Sequence, residues 1–164
     1  MLHEVSGDIL LTRASALAHG VAPNDHMNSG LALSLREDWP AMYKDFRHFS
    51  HTTNPDPGTL WAWAGASGPR VISLFTQKPA PNEHAHPGKA RIQDVNHCLR
   101  ALRHFVEQEK LTSIALPRLA TGVGGLDWNE VQPLIKEHLG ALNIPVYLYT
   151  TYKKGAVATE PSEK

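Results

Sequence analysis

The segment Pro117 to Trp128, reading Pro-Arg-Leu-Ala-Thr-Gly-Val-Gly-Gly-Leu-Asp-Trp, joins an apolar run to an amphipathic one through a glycine-rich turn. Ser113-Ile114-Ala115-Leu116, bounded by Pro117, has the length and character of a buried strand. Beyond Trp128 the apolar residues Val131, Leu134, Ile135 and Leu139 recur at helical spacing. Glycines in such a turn reach positive φ and let backbone approach a ligand closely. Consecutive N–H groups there form an anion-binding concavity, and the helix that follows adds roughly half a positive charge at its N-terminus. The turn therefore suits phosphate; a turn that only redirects the chain is the alternative on spacing alone.

Two familiar glycine loops do not fit. No Gly-Lys-Ser/Thr follows the glycines, which argues against a P-loop nucleotidase. The spacing Gly122-x-Gly124-Gly125 lacks the third glycine of a dinucleotide fingerprint and lies far from the first strand.

With 164 residues and 41% hydrophobic content the chain is sized for one domain with a substantial core. Sixteen basic residues balance sixteen acidic ones, so no broad electrostatic grip on nucleic acid or membrane is expected, while a local anion site remains open. The single cysteine, Cys98, lies in a helical pattern and permits no internal disulfide, as in a reducing compartment. No signal-like start or membrane-length apolar run is present, and a soluble, cytoplasmic monomer is the expectation. The polar stretch 153–164 reads as a flexible C-terminal tail following a domain over 1–152.

Leu2 to Val5 and Ile9 to Leu11 flank Gly7-Asp8, and with Ala14 to His19 they read as strands broken by a glycine turn. A helix is expected over Ser29 to Asp38, with Pro40 ending it or starting the next segment, Met42 to Phe49. Leu60 to Ala64 and Val71 to Phe75 read as a hairpin, since aromatic and β-branched residues crowd both arms. A proline-rich loop over 79–89, a helix over Ile92 to Glu109 and a last strand Val146 to Tyr149 follow. Alternation of strands and helices after an early hairpin predicts an α/β fold, a three-layer α/β/α sandwich around a mixed sheet.

Three segments in this order carry a resemblance: Gly7-Asp8-Ile9; Ala18-His19-Gly20-Val21 through Met27-Asn28-Ser29-Gly30-Leu31-Ala32-Leu33; and Pro117 to Trp128. Together they resemble the macrodomain, an ADP-ribose-binding fold, over about residues 2–150. The nearest subclass contains the terminal ADP-ribose protein glycohydrolase and the antitoxin that removes ADP-ribose from DNA. The resemblance implies that Asp8 accepts from the adenine amino group with the Ile9 backbone beside it, as suits a carboxylate facing an amine donor. It implies a first loop, Asn24 to Gly30, enclosing the distal ribose, with Asn28, Ser29 and Gly30 against the ligand. A second loop, Thr121 to Leu126, would wrap the diphosphate through Thr121, Gly122, Val123, Gly124, Gly125 and Leu126, and Arg118 and Thr76 would also bind the ligand.

The chain also departs from that pattern. The glycohydrolase of the subclass carries an aspartate where this chain has Gly124, and its lysine directly follows the threonine of the central strand, whereas here the order is Thr76-Gln77-Lys78. The DNA-deglycosylating relatives place an asparagine where this chain has Ala22, which argues against that substrate. Lys78, Asp25 and Asp127 remain the catalytic candidates: the lysine as a Schiff-base or polarising amine, the carboxylates as groups that activate water. Asp127 also suits the N-cap of the helix at Trp128. Glu83-His84-Ala85-His86 has the look of a metal tract but supplies too few ligands, so neither metal nor cofactor is expected. The same loop suits a lid over the ribose. Trp61 and Trp63 alternate in a strand and read as packing rather than as a base-stacking platform.

Two functions follow as expectations. The first is a hydrolase releasing ADP-ribose from ester linkages, on acidic side chains or as O-acetyl-ADP-ribose. The second is a reader that binds ADP-ribose or an ADP-ribosylated protein without turnover. ADP-ribosylated nucleic acid is a less favoured partner. Gly124→Glu is expected to obstruct the diphosphate site by bulk and charge.

Overall fold

A computed structural model describes residues 1–162. Six strands form one sheet: β1 (Leu2–Gly7), β2 (Ala16–Val21), β3 (Leu60–Trp63), β4 (Arg70–Phe75), β5 (Ile114–Pro117) and β6 (Val146–Tyr152). Four helices accompany them: α1 (Gly30–Asp38), α2 (Pro40–Thr53), α3 (Ile92–Gln108) and α4 (Trp128–Leu139). The strand order is β1-β6-β5-β2-β4-β3. Only β3 runs antiparallel, paired with β4 from Leu60↔Leu74 to Trp63↔Val71, so the expected hairpin forms one edge.

Side-chain alternation along the strands makes the three layers. Ala16, Ala18, Ile72 and Leu74 face α3 and α4, meeting Val95, Leu99, Leu102, Val131 and Ile135 in one core. Leu17, Val21, Val71 and Phe75 face the other way, onto Leu35, Met42 and Phe46 of α1 and α2. One-residue alternation is what a strand requires when helices cover both faces of the sheet. Trp61 and Trp63 join the second core, with the Trp61 ring 5.6 Å from that of Phe49 and 5.8 Å from that of Phe46. Packing is their role, as the sequence suggests. No helix is long and apolar enough to cross a membrane among the described residues.

Two segments differ from the sequence reading. Ile9–Leu11 is a 3-10 turn rather than a strand, because the Asp8 carboxylate caps it by accepting from the Leu10 N–H at 3.0 Å. The stretch read as a free tail from 153 onward lies against the body as far as it is described: Gly155 and Ala156 bond to Asp8, and Glu160 bonds to Thr12, Arg13 and Tyr149. Composition suggests solvent, whereas these contacts are polar and specific. The tail's last residues, 163 and 164, lie outside the described residues.

Candidate functional site

The carboxyl ends of the parallel strands open into a cleft with two lobes. This is where an α/β sheet exposes backbone ends and loops to a ligand. The larger lobe, about 510 Å³, is lined by His19, Gly20 and Val21 of β2, by the first loop (Asn24 to His26, Asn28 to Gly30), and by Gln77 after β4. Ala85 to Pro87 and the glycine loop (Arg118 to Ala120, Gly122 to Gly124) complete it. The smaller lobe, about 390 Å³, is lined by Gly7, Ile9, Leu10, Ser34, Tyr149 and Tyr152. Gly30, Leu31 and Pro117 line both lobes, so the two form one continuous groove. Volumes of this size match small-molecule sites.

The first loop is shaped by Asp25. Its Oδ2 accepts from the Ala22 N–H at 3.1 Å and its Oδ1 from the Met27 N–H at 2.7 Å. Met27 is buried and holds φ at +51°, a conformation costly for a non-glycine residue, so its core packing and the Asp25 bond together fix the loop. Arg36 adds bonds to the His26 carbonyl at 3.0 Å and the Asn28 Oδ1 at 2.9 Å, and Arg47 reaches the Asn24 carbonyl at 2.9 Å. Asp25 lines the cleft, with both oxygens engaged in holding backbone. Ser29 is the N-cap of α1 without a side-chain capping bond, which leaves its hydroxyl for the cleft that it lines.

The glycine loop folds back on itself. The Leu126 N–H donates to the Ala120 carbonyl at 2.9 Å, and the Gly125 N–H to the Gly122 carbonyl at 3.0 Å. Ala120 sits at φ +62° and Gly125 at φ +77°. A Cβ on Gly124 would stand 2.6 Å from the Ala120 oxygen, so only glycine fits there; one on Gly122 meets nothing within 4 Å. Val123 is 61% exposed at the rim, and the Arg118 guanidinium stands 5.4 Å from the Trp128 ring centroid. Of the ligand-binding residues that the resemblance implies here, Arg118, Gly122, Val123 and Gly124 line the cleft. Thr121, Gly125 and Leu126 do not: the Thr121 hydroxyl donates to the Arg118 carbonyl at 3.0 Å, and Leu126 packs on the core. Their contacts are within the loop and with the core.

Three predicted residues take other places. Thr76 is fully buried behind β4, its Oγ1 2.7 Å from where a Cβ on Gly20 would lie, so it dictates glycine at position 20 and does not face the cleft. Lys78 is exposed and does not line the cleft; its backbone is pinned by bonds to Lys89 and Gly88 at the neck of the proline-rich loop. Gln77 takes the cleft position instead, 6% exposed, with its Nε2 donating to the Gly88 carbonyl at 3.1 Å. Asp127 is the N-cap of α4, accepting from the Asn129 N–H at 2.9 Å, and is outside the cleft lining.

His19 and Asn24 lie in segments that the sequence reading marked, but it gave neither side chain a role. His19 is 2% exposed, bonded through Nε2 to the Ser73 hydroxyl at 3.1 Å, with Nδ1 buried and unpartnered. Burial lowers its pKa to about 4, so it is neutral at ordinary pH. Asn24 holds the proline-rich loop by a reciprocal pair with the Ala80 backbone, both bonds 2.9 Å. A Pro-Asn pair and a histidine in an apolar run mean little until topology brings β2 beside β4. Among the described residues no three His, Cys, Asp or Glu side chains are grouped closely enough to hold a metal.

The Macro domain family model matches residues 40–135. A curated relative, the DNA ADP-ribosyl glycohydrolase of Thermus aquaticus, is 30% identical over 152 residues, covering 91% of this chain and 41% of the relative. The macrodomain of Thermus aquaticus DarG superposes with a TM-score of 0.79 at 27% identity, covering 92% of this chain and 98% of that one. Thermosipho africanus DarTG in complex with ADP-ribose gives a TM-score of 0.80 at 24% identity, covering 95% and 42%. The chain spans about two fifths of the length of the first curated relatives it matches. With more than half of its residues matched by the family model and the fold shared throughout, the chain belongs to the Macro domain family.

Proposed function

We propose that this chain binds ADP-ribose along the two-lobed groove, adenine in the smaller lobe and distal ribose in the larger, and releases ADP-ribose from an ADP-ribosylated macromolecule. The observation that carries the reading is the continuity of the lobes across Gly30, Leu31 and Pro117, with the glycine loop beside the junction. There a diphosphate meets backbone N–H groups and the Arg118 charge. The names of the relatives support both the ligand and the hydrolytic activity.

Release breaks the bond at the anomeric carbon of the distal ribose, or an adjoining ester carbonyl, and adds water. Asp25 and the bound phosphate are the groups beside that end able to orient water, since each Asp25 oxygen keeps a lone pair beyond its backbone bond. Ester-linked ADP-ribose on acidic side chains or an acetyl group is the substrate we infer from Ala22 and the balanced charge. The Thermus relative's name favours a nucleic-acid-linked substrate. Gln77 in the cleft, with Lys78 outside it, favours a second reading, a binding module without turnover. The proposal includes a cytoplasmic monomer.

Calorimetric titration with ADP-ribose against AMP tests the ligand: saturable one-to-one binding preferring ADP-ribose is expected, and no binding of either sinks the reading. Release is then measured from a glutamate-linked ADP-ribosyl protein, O-acetyl-ADP-ribose and an ADP-ribosylated oligonucleotide. Firm binding with no release above a blank on all three establishes the reader instead.

A further inference from the structure

The 3-10 turn Ile9–Leu11 forms a wall of the smaller lobe through Ile9 and Leu10, yet a single turn has too few internal bonds to hold its own shape. The chain beyond β6 grips it at both ends. At the leading end the Asp8 N–H donates to the Ala156 carbonyl at 2.8 Å, and the Gly155 N–H donates to Asp8 Oδ2 at 3.0 Å. At the trailing end the Glu160 carboxylate accepts from the Thr12 hydroxyl and from the Arg13 N–H at 2.9 Å. It also accepts from the hydroxyl of Tyr149 at 2.7 Å, and Tyr149 lines the lobe. The Tyr147 hydroxyl donates to the Pro161 carbonyl at 2.6 Å. A Cβ on Gly7 would come within 2.9 Å of Ala156 and Ala158, so the segment packs directly on the end of β1.

We infer that residues 155–160 are a strap with Glu160 as a positioning residue, holding Asp8, the Ile9–Leu10 wall and Tyr149 in the arrangement that receives the base. The inference rests on the ADP-ribose reading above and deepens it. Asp8 has one oxygen on the Leu10 N–H and the other on the Gly155 N–H. Asp8 is buried just behind the lobe, between its lining residues Gly7 and Ile9, and each carboxylate oxygen offers two lone pairs, so the grip fixes the carboxylate while leaving it acceptor capacity toward an exocyclic amine. A released strap costs the site that placement, and the loss falls on recognition of the base.

The test compares binding of ADP-ribose and of its hypoxanthine analogue, which lacks the exocyclic amine, to the full chain, Glu160→Ala and Glu160→Gln, with thermal melts of each. The unaltered chain should prefer ADP-ribose. Glu160→Ala should weaken ADP-ribose binding about tenfold, the equivalent of one charge-assisted bond, and narrow the preference for adenine. Glu160→Gln, which retains an acceptor oxygen, should recover part of both. Amide exchange on the unaltered protein reads the same coupling without any variant, because linkage is reciprocal: saturating ADP-ribose should slow exchange at Arg13 and Gly155. A folded Glu160→Ala with affinity within about twofold and the preference intact overturns the inference, as does unchanged exchange at those amides. Failure of the unaltered chain to bind either ligand overturns the ADP-ribose reading and the inference with it.

Discussion

Gly124→Ala isolates the role of the glycine loop with one methyl group. The added Cβ would stand 2.6 Å from the Ala120 carbonyl oxygen and 3.0 Å from its carbon and Cα, all backbone atoms. The oxygen cannot retreat freely, because it accepts the Leu126 N–H at 2.9 Å, while the Gly124 carbonyl accepts the Ala90 N–H at 2.9 Å and ties the glycine loop to the end of the proline-rich loop. Relief requires a backbone shift, and overpacking of this kind costs about 1–3 kcal/mol. For a domain of this size that lowers Tm by about 2–10 °C. The shift moves the backbone that faces the diphosphate, so affinity for ADP-ribose should fall about tenfold beyond the stability effect. Gly122→Ala is the control: it lies in the same loop and its Cβ meets nothing within 4 Å, so Tm should stay within about 1 °C. Differential scanning fluorimetry and calorimetric titration read both. A Gly124→Ala protein as stable and as tight as the parent, or a Gly122→Ala protein equally damaged, refutes the argument. Gly124→Glu should fail for the same steric reason, before its charge counts.

Lys78→Ala should leave ADP-ribose affinity and any release rate within about twofold, because the side chain is exposed outside the cleft; a tenfold loss in release restores the lysine to the reaction. His19 should make the fold acid-sensitive. Burial holds its folded pKa at about 4 against an ordinary 6.5, so below 6.5 the unfolded chain takes up the proton first and stability falls with pH, by about 3 kcal/mol once pH 4 is reached. Melting across that range should show the slope, and His19→Asn should flatten it; an equal slope in the variant refutes the assignment. Cys98, fully buried and with its pKa pushed up to about 12 by desolvation and the Asp94 charge, should resist a thiol reagent until the chain unfolds. Modification of the native protein within seconds contradicts that placement.

The order of layers was legible because burial marks the sequence: short apolar runs in Ala16 to Val21 and Val71 to Phe75, covered on both faces, and helical spacing in Val95, Leu99, Leu102. Glycine spacing marked the loop at the cleft for a related reason, since at Gly124 the close approach of the Ala120 backbone excludes a side chain. Where polar bonds rather than buried area hold the chain, periodicity is silent. Ile9-Leu10-Leu11 has strand-like composition, and one carboxylate at Asp8 turns it into a 3-10 wall. Residues 153–162 have the composition of a tail, and one carboxylate at Glu160 ties them down.

The same distinction explains why the chemistry of the site was harder to read than its ligand. Binding a diphosphate uses backbone, and backbone geometry is written locally in Gly122 to Gly125. Chemistry at the distal ribose depends on which side chain a strand end aims inward, and that is set by register against neighbours far off in sequence. After β4, the bridge between Gln77 and Ala90 and the bond from Gln77 to Gly88 turn Gln77 into the cleft and leave Lys78 outside. With its side chain outside the cleft lining, Lys78 is not placed to offer the distal ribose the amine that Schiff-base chemistry needs. A neutral amide in the cleft can hold a loop or a hydroxyl, and cannot supply that nucleophile. Turnover under the proposed function would use an oriented water, held by Asp25 only through the lone pairs left over from its two backbone bonds. Binding should accordingly be much better developed than catalysis, with release slow relative to a site that places an amine at position 77.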